Sequence, residues 1–275
     1  DFPGLLIDNR RAVYVRQSIG AYLSHFNPNW LFMEGDLPRH HAPNMGLLYL
    51  WELPFLLMGL YYLVFGKFSL KTKLFIFSWF FISPIPAAVT NDVPHAVRTL
   101  NFIPTYQIFI ALGIYSFYLW LRSFIKMTPV RNVIIGFGII IALLNFMFFL
   151  NQYFSQQNYY YSKDWQYGYK EAVEYVSSQR DKYQKIVISN EVPLDQSYIF
   201  FLFYLKYTPR EFQNAKTTVQ NHNFDKFEFR EIDWKNDQNL KETLFVGRAK
   251  DIGNGQILKT INYLNGETAI VIAKP

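Results

Sequence analysis

Four apolar stretches stand close together in this chain, at 47–66, 74–90, 104–121 and 132–150. A hydrocarbon layer about 30 Å thick is crossed by roughly 17–25 apolar residues in helical form, and each stretch falls within that range. The charges around them alternate. Lys67, Lys71 and Lys73 lie between the first and second stretches, and Arg122, Lys126 and Arg131 between the third and fourth. The connection between the second and third carries Asp92, His95 and Arg98 instead. Under the positive-inside rule the two basic connections face the cytoplasm. The 91–103 hairpin, residues 1–46 and residues 151–275 then face outward. The sequence therefore predicts a multi-pass α-helical protein of the cell membrane (plasma or inner membrane) with four spans, and an extracytoplasmic α/β domain at its C-terminus.

Composition agrees once the halves are separated. A chain that is 51% hydrophobic and 19% aromatic averages a greasy segment with a polar one. The net charge of +6 does not point to nucleic acid, because six basic residues are those just named and no other basic stripe exists. Cysteine is absent, which excludes disulfides and thiolate metal sites. The chain opens Asp1-Phe2-Pro3 with neither a methionine nor a signal-peptide pattern, so it reads as part of a longer protein whose preceding segment also spans the membrane.

Residues 1–46 are too polar to span. Arg10, Arg11 and Arg16, interleaved with Val13, Tyr14, Val15 and Ile19, suit a helix lying at the lipid headgroups. Asn27-Pro28-Asn29-Trp30 breaks that helix, and Trp30 and Phe32 serve as interface anchors. The first span follows at Gly46, with Glu52 inside it and a kink expected at Pro54. The second ends unwound at Ser83-Pro84-Ile85-Pro86, and the third starts at Pro104, a favoured first-turn position. After residue 150 the periodicity predicts a helix over 165–182, a buried strand at 185–189 and an aromatic helix over 196–207. Further strands are expected at 226–231, 243–247, 256–263 and 268–273, the last pair joined through Asn265-Gly266. That order suits an α/β sandwich.

Two loops carry the chemistry. The hairpin Asn91-Asp92-Val93-Pro94-His95-Ala96-Val97-Arg98 holds an acid, an imidazole and a guanidinium where the chain leaves hydrocarbon. Charges at that depth commonly line a ligand path, and an Arg fork beside a His suits a phosphate. Equally, Asp92 can cap the next turn while Arg98 snorkels to headgroups. The loop Glu34-Gly35-Asp36-Leu37-Pro38-Arg39-His40-His41 repeats the same residue types on the same side. Phosphate contact through Arg39 and His40 is one reading, with Asp36 and His41 in support. A divalent cation held by Glu34, Asp36 and His40 or His41 is a second, and a solvated loop a third. Glu52 is an isolated carboxylate, interfacial or lining a polar pocket. In the soluble part, Asp164, Trp165, Tyr167 and Tyr169 form an aromatic cluster that reads as core or interface rather than as a sugar platform. There is no phosphate-binding glycine loop, nucleophile elbow or HExxH pattern there.

Three stretches carry a resemblance. Ser24-His25-Phe26-Asn27-Pro28-Asn29-Trp30-Leu31-Phe32 with Gly35-Asp36, Arg39-His40, Pro43 and Gly46-Leu47-Leu48-Tyr49 is the first. Ser83-Pro84-Ile85-Pro86-Ala87-Ala88 running to Pro94-His95-Ala96-Val97-Arg98 is the second, and Tyr198 to Tyr204 with Pro209 the third. Together they resemble bacterial multi-pass glycosyltransferases of the GT-C fold, in the protein O-mannosyltransferase and aminoarabinose transferase group. The resemblance implies an enzyme moving a sugar from a polyprenyl-phosphate carrier to a lipid, glycan or protein acceptor on the outer face of the membrane. Arg39, His40, His95 and Arg98 would then contact the donor phosphate. The family's general base lies in an earlier outward loop, expected before Asp1, and its role is not carried over to Asp36. Two other classes fit the same features: a membrane-anchored glycan-binding module, and a polyprenyl-linked glycan ligase or flippase.

Overall fold

A computed structural model describes residues 9–214 and 222–275. Residues 1–8 of the expected outward segment lie outside it. The chain divides into two compact units, Asp1–Gln157 and Asn158–Pro275. The boundary falls a few residues beyond the expected one, because the last apolar helix runs on past residue 150.

In the first unit, α1 (Arg10–Ser24) starts at Asn9, whose side chain accepts the Ala12 N–H at 2.9 Å. It buries no residue, and Tyr14, Val15 and Ile19 stand exposed, as a helix resting on an interface requires. A wide turn over Trp30–Glu34 then buries Trp30, Leu31 and Phe32. Four apolar helices follow: α2 (Leu53–Phe65), α3 (Leu70–Ile82), α4 (Ile103–Phe124) and α5 (Thr128–Asn151).

Only two meet the length and hydropathy of a membrane span, Leu100–Phe124 with 25 residues and Thr128–Tyr160 with 33. The helices α2 and α3 have 13 residues each, a rise of about 20 Å. Prolines and caps explain the shortfall. Tyr49 is extended, and Pro54 lies in the first turn of α2, where its fixed φ and missing N–H are harmless. Pro54 therefore starts the helix instead of kinking it. Glu52 precedes α2 rather than sitting within a span, and its carboxylate accepts the Tyr49 N–H at 2.9 Å. Ser69 caps α3 by accepting the Thr72 N–H at 3.1 Å, earlier than hydropathy alone suggests. Pro84 and Pro86 then prevent α3 from continuing, and a short turn at Ile85–Ala88 replaces the expected end of the second span. Lys71, Lys73, Arg122 and Arg131 consequently ride on helix ends rather than in the connections. Lys73 Nζ reaches back to the Val64 carbonyl at 2.6 Å, closing the α2–α3 corner.

The helices α2 and α4 form the heart of this unit. They meet backbone to backbone at Gly59 and Gly113, where a methyl on either glycine would fall on a carbonyl of the opposite helix (Phe109 or Phe55). Small residues at such a crossing let main chains approach, the usual device of helix pairs in lipid. Leu56, Leu63, Phe80, Phe102, Tyr106, Phe109 and Ile110 fill the space around it. By contrast α5 buries no residue, although it is apolar on every side. By length and composition it could cross a membrane.

The second unit is an α/β fold. Strands β1 (Lys185–Ile188), β2 (Phe227–Phe229), β3 (Thr243–Gly247), β4 (Gln256–Asn262) and β5 (Thr268–Lys274) make one sheet in the order β2-β1-β3-β5-β4. The pairs β1–β2 and β1–β3 are parallel, whereas β3–β5 and β4–β5 are antiparallel. Helices α6 (Tyr169–Gln179) and α7 (Ser197–Tyr204) supply Ala172, Val173, Val176 and Phe201 to one face, against Ile186, Ile188, Leu244 and Val246. The other face packs Val187, Phe245 and Val271 against Ile232 and Ile252. Alternate residues of β1 and β3 thus enter opposite layers, as a period of two demands. Gly266, at φ 90°, turns β4 into β5. Tyr169 belongs to the core and stacks on Phe200 at 4.2 Å, while Trp165 and Tyr167 are exposed, so the aromatic cluster divides.

Candidate functional site

The first unit brings the two charged loops together. The wide turn ends at Gly35, whose φ of 71° swings the chain back past Met45 and His41. A Cβ at Gly35 would lie 2.5 Å from His41 Nδ1, so only glycine permits this approach. The next residue, Asp36, becomes the hub. Its Oδ1 accepts the Leu37 N–H at 2.7 Å, and its Oδ2 accepts the Ala96 N–H at 2.6 Å, across 60 residues of chain.

Two imidazoles flank the same oxygen. His40 Nδ1 lies 3.3 Å and His95 Nδ1 3.9 Å from Asp36 Oδ2, and the two rings stack with centroids 4.3 Å apart. Although close, His40 Nδ1 is not aligned for a hydrogen bond to the carboxylate and makes none with the protein among the described residues. His95 Nδ1 receives the Arg98 N–H at a long 3.4 Å. One ligand atom from each of Asp36, His40 and His95 lies within 4.8 Å of the others.

His25 fixes the other side of His95. It is fully buried at the end of α1; its Nδ1 lies 2.8 Å from the Ala21 carbonyl and its Nε2 3.3 Å from the His95 backbone nitrogen. A ring that donates at one nitrogen and accepts at the other is neutral, with the proton assigned to Nδ1 by these partners. Burial also holds His25 below the ordinary imidazole pKa, against the opposing pull of its backbone bonds and of Asp36. His95 is depressed too, by burial first, then by Arg98 and His40, with Arg39 adding a little and Asp36 opposing. Both arginines are therefore close enough for their charge to reach this ring.

Of the residues singled out from sequence, Asp36, Arg39, His40, His95 and Arg98 share one neighbourhood. Arg39 is exposed and makes no bond with the protein among the described residues. One terminal nitrogen of Arg98 ties its own hairpin, donating to Thr90 Oγ1 at 2.9 Å and to the Asn91 carbonyl; the other guanidinium N–H groups hold no partner among the described residues. The guanidinium thus anchors the hairpin while the residue stays exposed. Asp92, at φ 57°, is exposed and makes no capping bond among the described residues. Glu34 is exposed at the end of its turn, and the ligand atoms that lie together are those of Asp36, His40 and His95. His41 is turned toward Gly35, with its pKa lowered by burial, and Gln157 Nε2 binds its carbonyl at 3.3 Å. Glu52 takes part only in its own turn.

His25 was the residue sequence reasoning passed over. Its signal was present, since a histidine inside an amphipathic segment, just before a Pro break, must find a partner if buried. That partner lies 70 residues away, and no local pattern reveals it.

No protein-family model, curated protein or solved structure matches this chain.

Proposed function

We propose that this chain is the C-terminal portion of a membrane glycosyltransferase that takes its sugar from a polyprenyl-phosphate carrier at the outer face of the cell membrane. The observation that carries the reading is the convergence of Arg39, His40, His95 and Arg98 around Asp36, from two loops at the ends of apolar helices. In this reading all four apolar helices traverse the bilayer, the two shorter ones with the turns that flank them, and the basic connections face the cytoplasm.

The chemistry follows from where charge develops. The bond between the sugar anomeric carbon and the phosphate oxygen breaks, and the carrier phosphate departs with an added negative charge. An acceptor oxygen forms the new bond and surrenders its proton to a base. Cationic donors fixed in advance at the departing phosphate lower the barrier, because they need no reorganisation as charge builds. Arg98 is fixed by Thr90 and Asn91, and the charge of Arg39 also reaches the His95 ring. Asp36 is unsuited as the base, since its oxygens already accept two backbone N–H groups.

Arg98→Ala is expected to reduce sugar release from a polyprenyl-phosphate donor at least about thirtyfold in membranes carrying the protein, and Arg98→Lys to recover part of it. The estimate takes one charge-assisted bond at about 2 kcal/mol. Unchanged turnover in both variants would remove Arg98 from the phosphate site.

A further inference from the structure

We infer that Gln157, at the end of the last apolar helix, is a positioning residue for Arg39 and His40: its side-chain amide holds the backbone carbonyls on either side of them. The consequence for phosphate rests on the donor-site reading above; the clamp itself does not.

The clamp joins distant parts of the chain. Gln157 Nε2 donates to the Pro38 carbonyl and, at 3.3 Å, to the His41 carbonyl, 119 and 116 residues earlier. A side-chain amide carries two N–H donors, so it serves both oxygens at once. Within the loop, the His40 and His41 N–H groups both turn back to the Leu37 carbonyl, at 2.8 and 3.1 Å. That turn provides no donor for the carbonyls of Pro38 and His41, and a carbonyl removed from water needs one. Gln157 supplies it from another helix.

The helix is shaped to deliver this residue. In the apolar run Thr128–Tyr160 the buried residues are Gln152 and Gln157, at 6% and 2% exposure. Its leucines, isoleucines and phenylalanines stay outside, and two glutamines go in. Between these two lies a wide turn, Gln152–Gln156, closed by the Gln157 N–H on the Gln152 carbonyl. An α-helix separates residues five apart by about 140° around its axis, and a turn closed five residues back reduces that angle. The wide turn therefore directs both glutamines toward one side.

Packing alone does not account for an amide here. Gln157 Oε1 is buried and has no partner among the described residues. An unpaired buried oxygen costs stability, and methionine of similar length would avoid that cost. What the amide does and methionine cannot is donate to two carbonyls.

The two residues between the held carbonyls depend on the main chain for their placement. Arg39 is exposed and makes no side-chain bond among the described residues, and His40 Nδ1 has no hydrogen-bond partner there. Arg98, by contrast, is fixed through its own guanidinium. Holding the backbone at 38 and 41 is thus how this fold sets the Arg39 charge that reaches His95. A displacement of about 1 Å is enough to forfeit most of the benefit of a group fixed in advance.

Hydrogen exchange by mass spectrometry on the purified chain in detergent tests the clamp. Gln157→Met should speed exchange of the His40 and His41 amides by about tenfold or more and leave α2 and α4 unchanged. Farnesyl phosphate binding to the same samples tests the consequence. Arg39→Ala should weaken that binding about tenfold in the unaltered background and less than about threefold in Gln157→Met, where the charge is already displaced. Unchanged exchange at His40 and His41, or a rise shared by the whole first unit, would overturn the clamp. Losses from Gln157→Met and Arg39→Ala that simply multiply would overturn its hold on Arg39. An unaltered chain that fails to bind farnesyl phosphate would sink the donor-site reading, and the exchange result would still decide the clamp.

Discussion

Asp36→Ala is expected to lower sugar release from a polyprenyl-phosphate donor by at least a hundredfold, the largest single-residue effect in this unit's loops. Three consequences combine. The Ala96 N–H loses its acceptor at 2.6 Å and the Leu37 N–H its acceptor at 2.7 Å, which unties the 34–41 loop from the 91–98 hairpin. The imidazoles of His40 and His95 lose the carboxylate between them. The positive charges of Arg39 and Arg98 that reach His95 are no longer opposed there by a carboxylate. Hydrogen bonds to a charged group are worth about 1.5–3 kcal/mol each, and a buried donor left unpaired adds to the loss. A combined effect of about 3 kcal/mol corresponds to the hundredfold figure. Asp36→Asn retains one oxygen and should fall between the two. Sugar-release assays in membranes check the series, with thermal unfolding in parallel to separate site loss from unfolding. Activity within a factor of two of the unaltered protein in Asp36→Ala would show that the hub is not needed.

Gly59→Leu is expected to destabilise the first unit by about 3 kcal/mol or more, and Gly59→Ala by about 1–3 kcal/mol. The helices α2 and α4 have no room to yield locally, because the new Cβ meets the Phe109 carbonyl, which is main chain and cannot rotate aside. They must separate, and Leu56, Leu63 and Phe109 lose packing together. Gly113→Leu should behave in the same way against the Phe55 carbonyl. Gly136 and Gly138 of α5 supply the control, since a Cβ there meets nothing within 4 Å. Alanine at either should be neutral, or stabilising by up to about 1 kcal/mol through helix propensity. Thermal unfolding in detergent measures all four. Equal effects at Gly59 and Gly136 would contradict the close crossing.

Local chemistry explains which of these features could be read from sequence. Each apolar stretch became a helix because hydropathy averages over many residues and tolerates single exceptions. Their ends were misjudged where a proline or a serine decided the matter: Ser69 began α3 early, and Pro84 ended it early. In the second unit the short apolar runs in Lys185–Ile188 and Thr243–Gly247 and the Asn265-Gly266 turn were sufficient to find β1, β3 and the β4–β5 hairpin. The parallel pairing of β1 with both β2 and β3 was not legible, since register between distant strands leaves no local trace. The site divides similarly. Arg39, His40, His95 and Arg98 stood out as costly charges near hydrocarbon. The Asp36–Ala96 bond that joins their loops, the His25 support behind His95 and the Gly59–Gly113 crossing are long-range contacts, visible only once the chain is folded.

Sidedness is where the account is most exposed, and the absence of natural cysteine makes it directly measurable. Leu37→Cys, Val97→Cys and Lys126→Cys each place one thiol at an exposed position, two beside the Asp36 cluster and one in the connection between α4 and α5. A membrane-impermeant maleimide added to intact cells should label Leu37→Cys and Val97→Cys, and should reach Lys126→Cys only after permeabilisation. Labelling of all three from the same side, or of Leu37→Cys and Val97→Cys from opposite sides, would contradict the account.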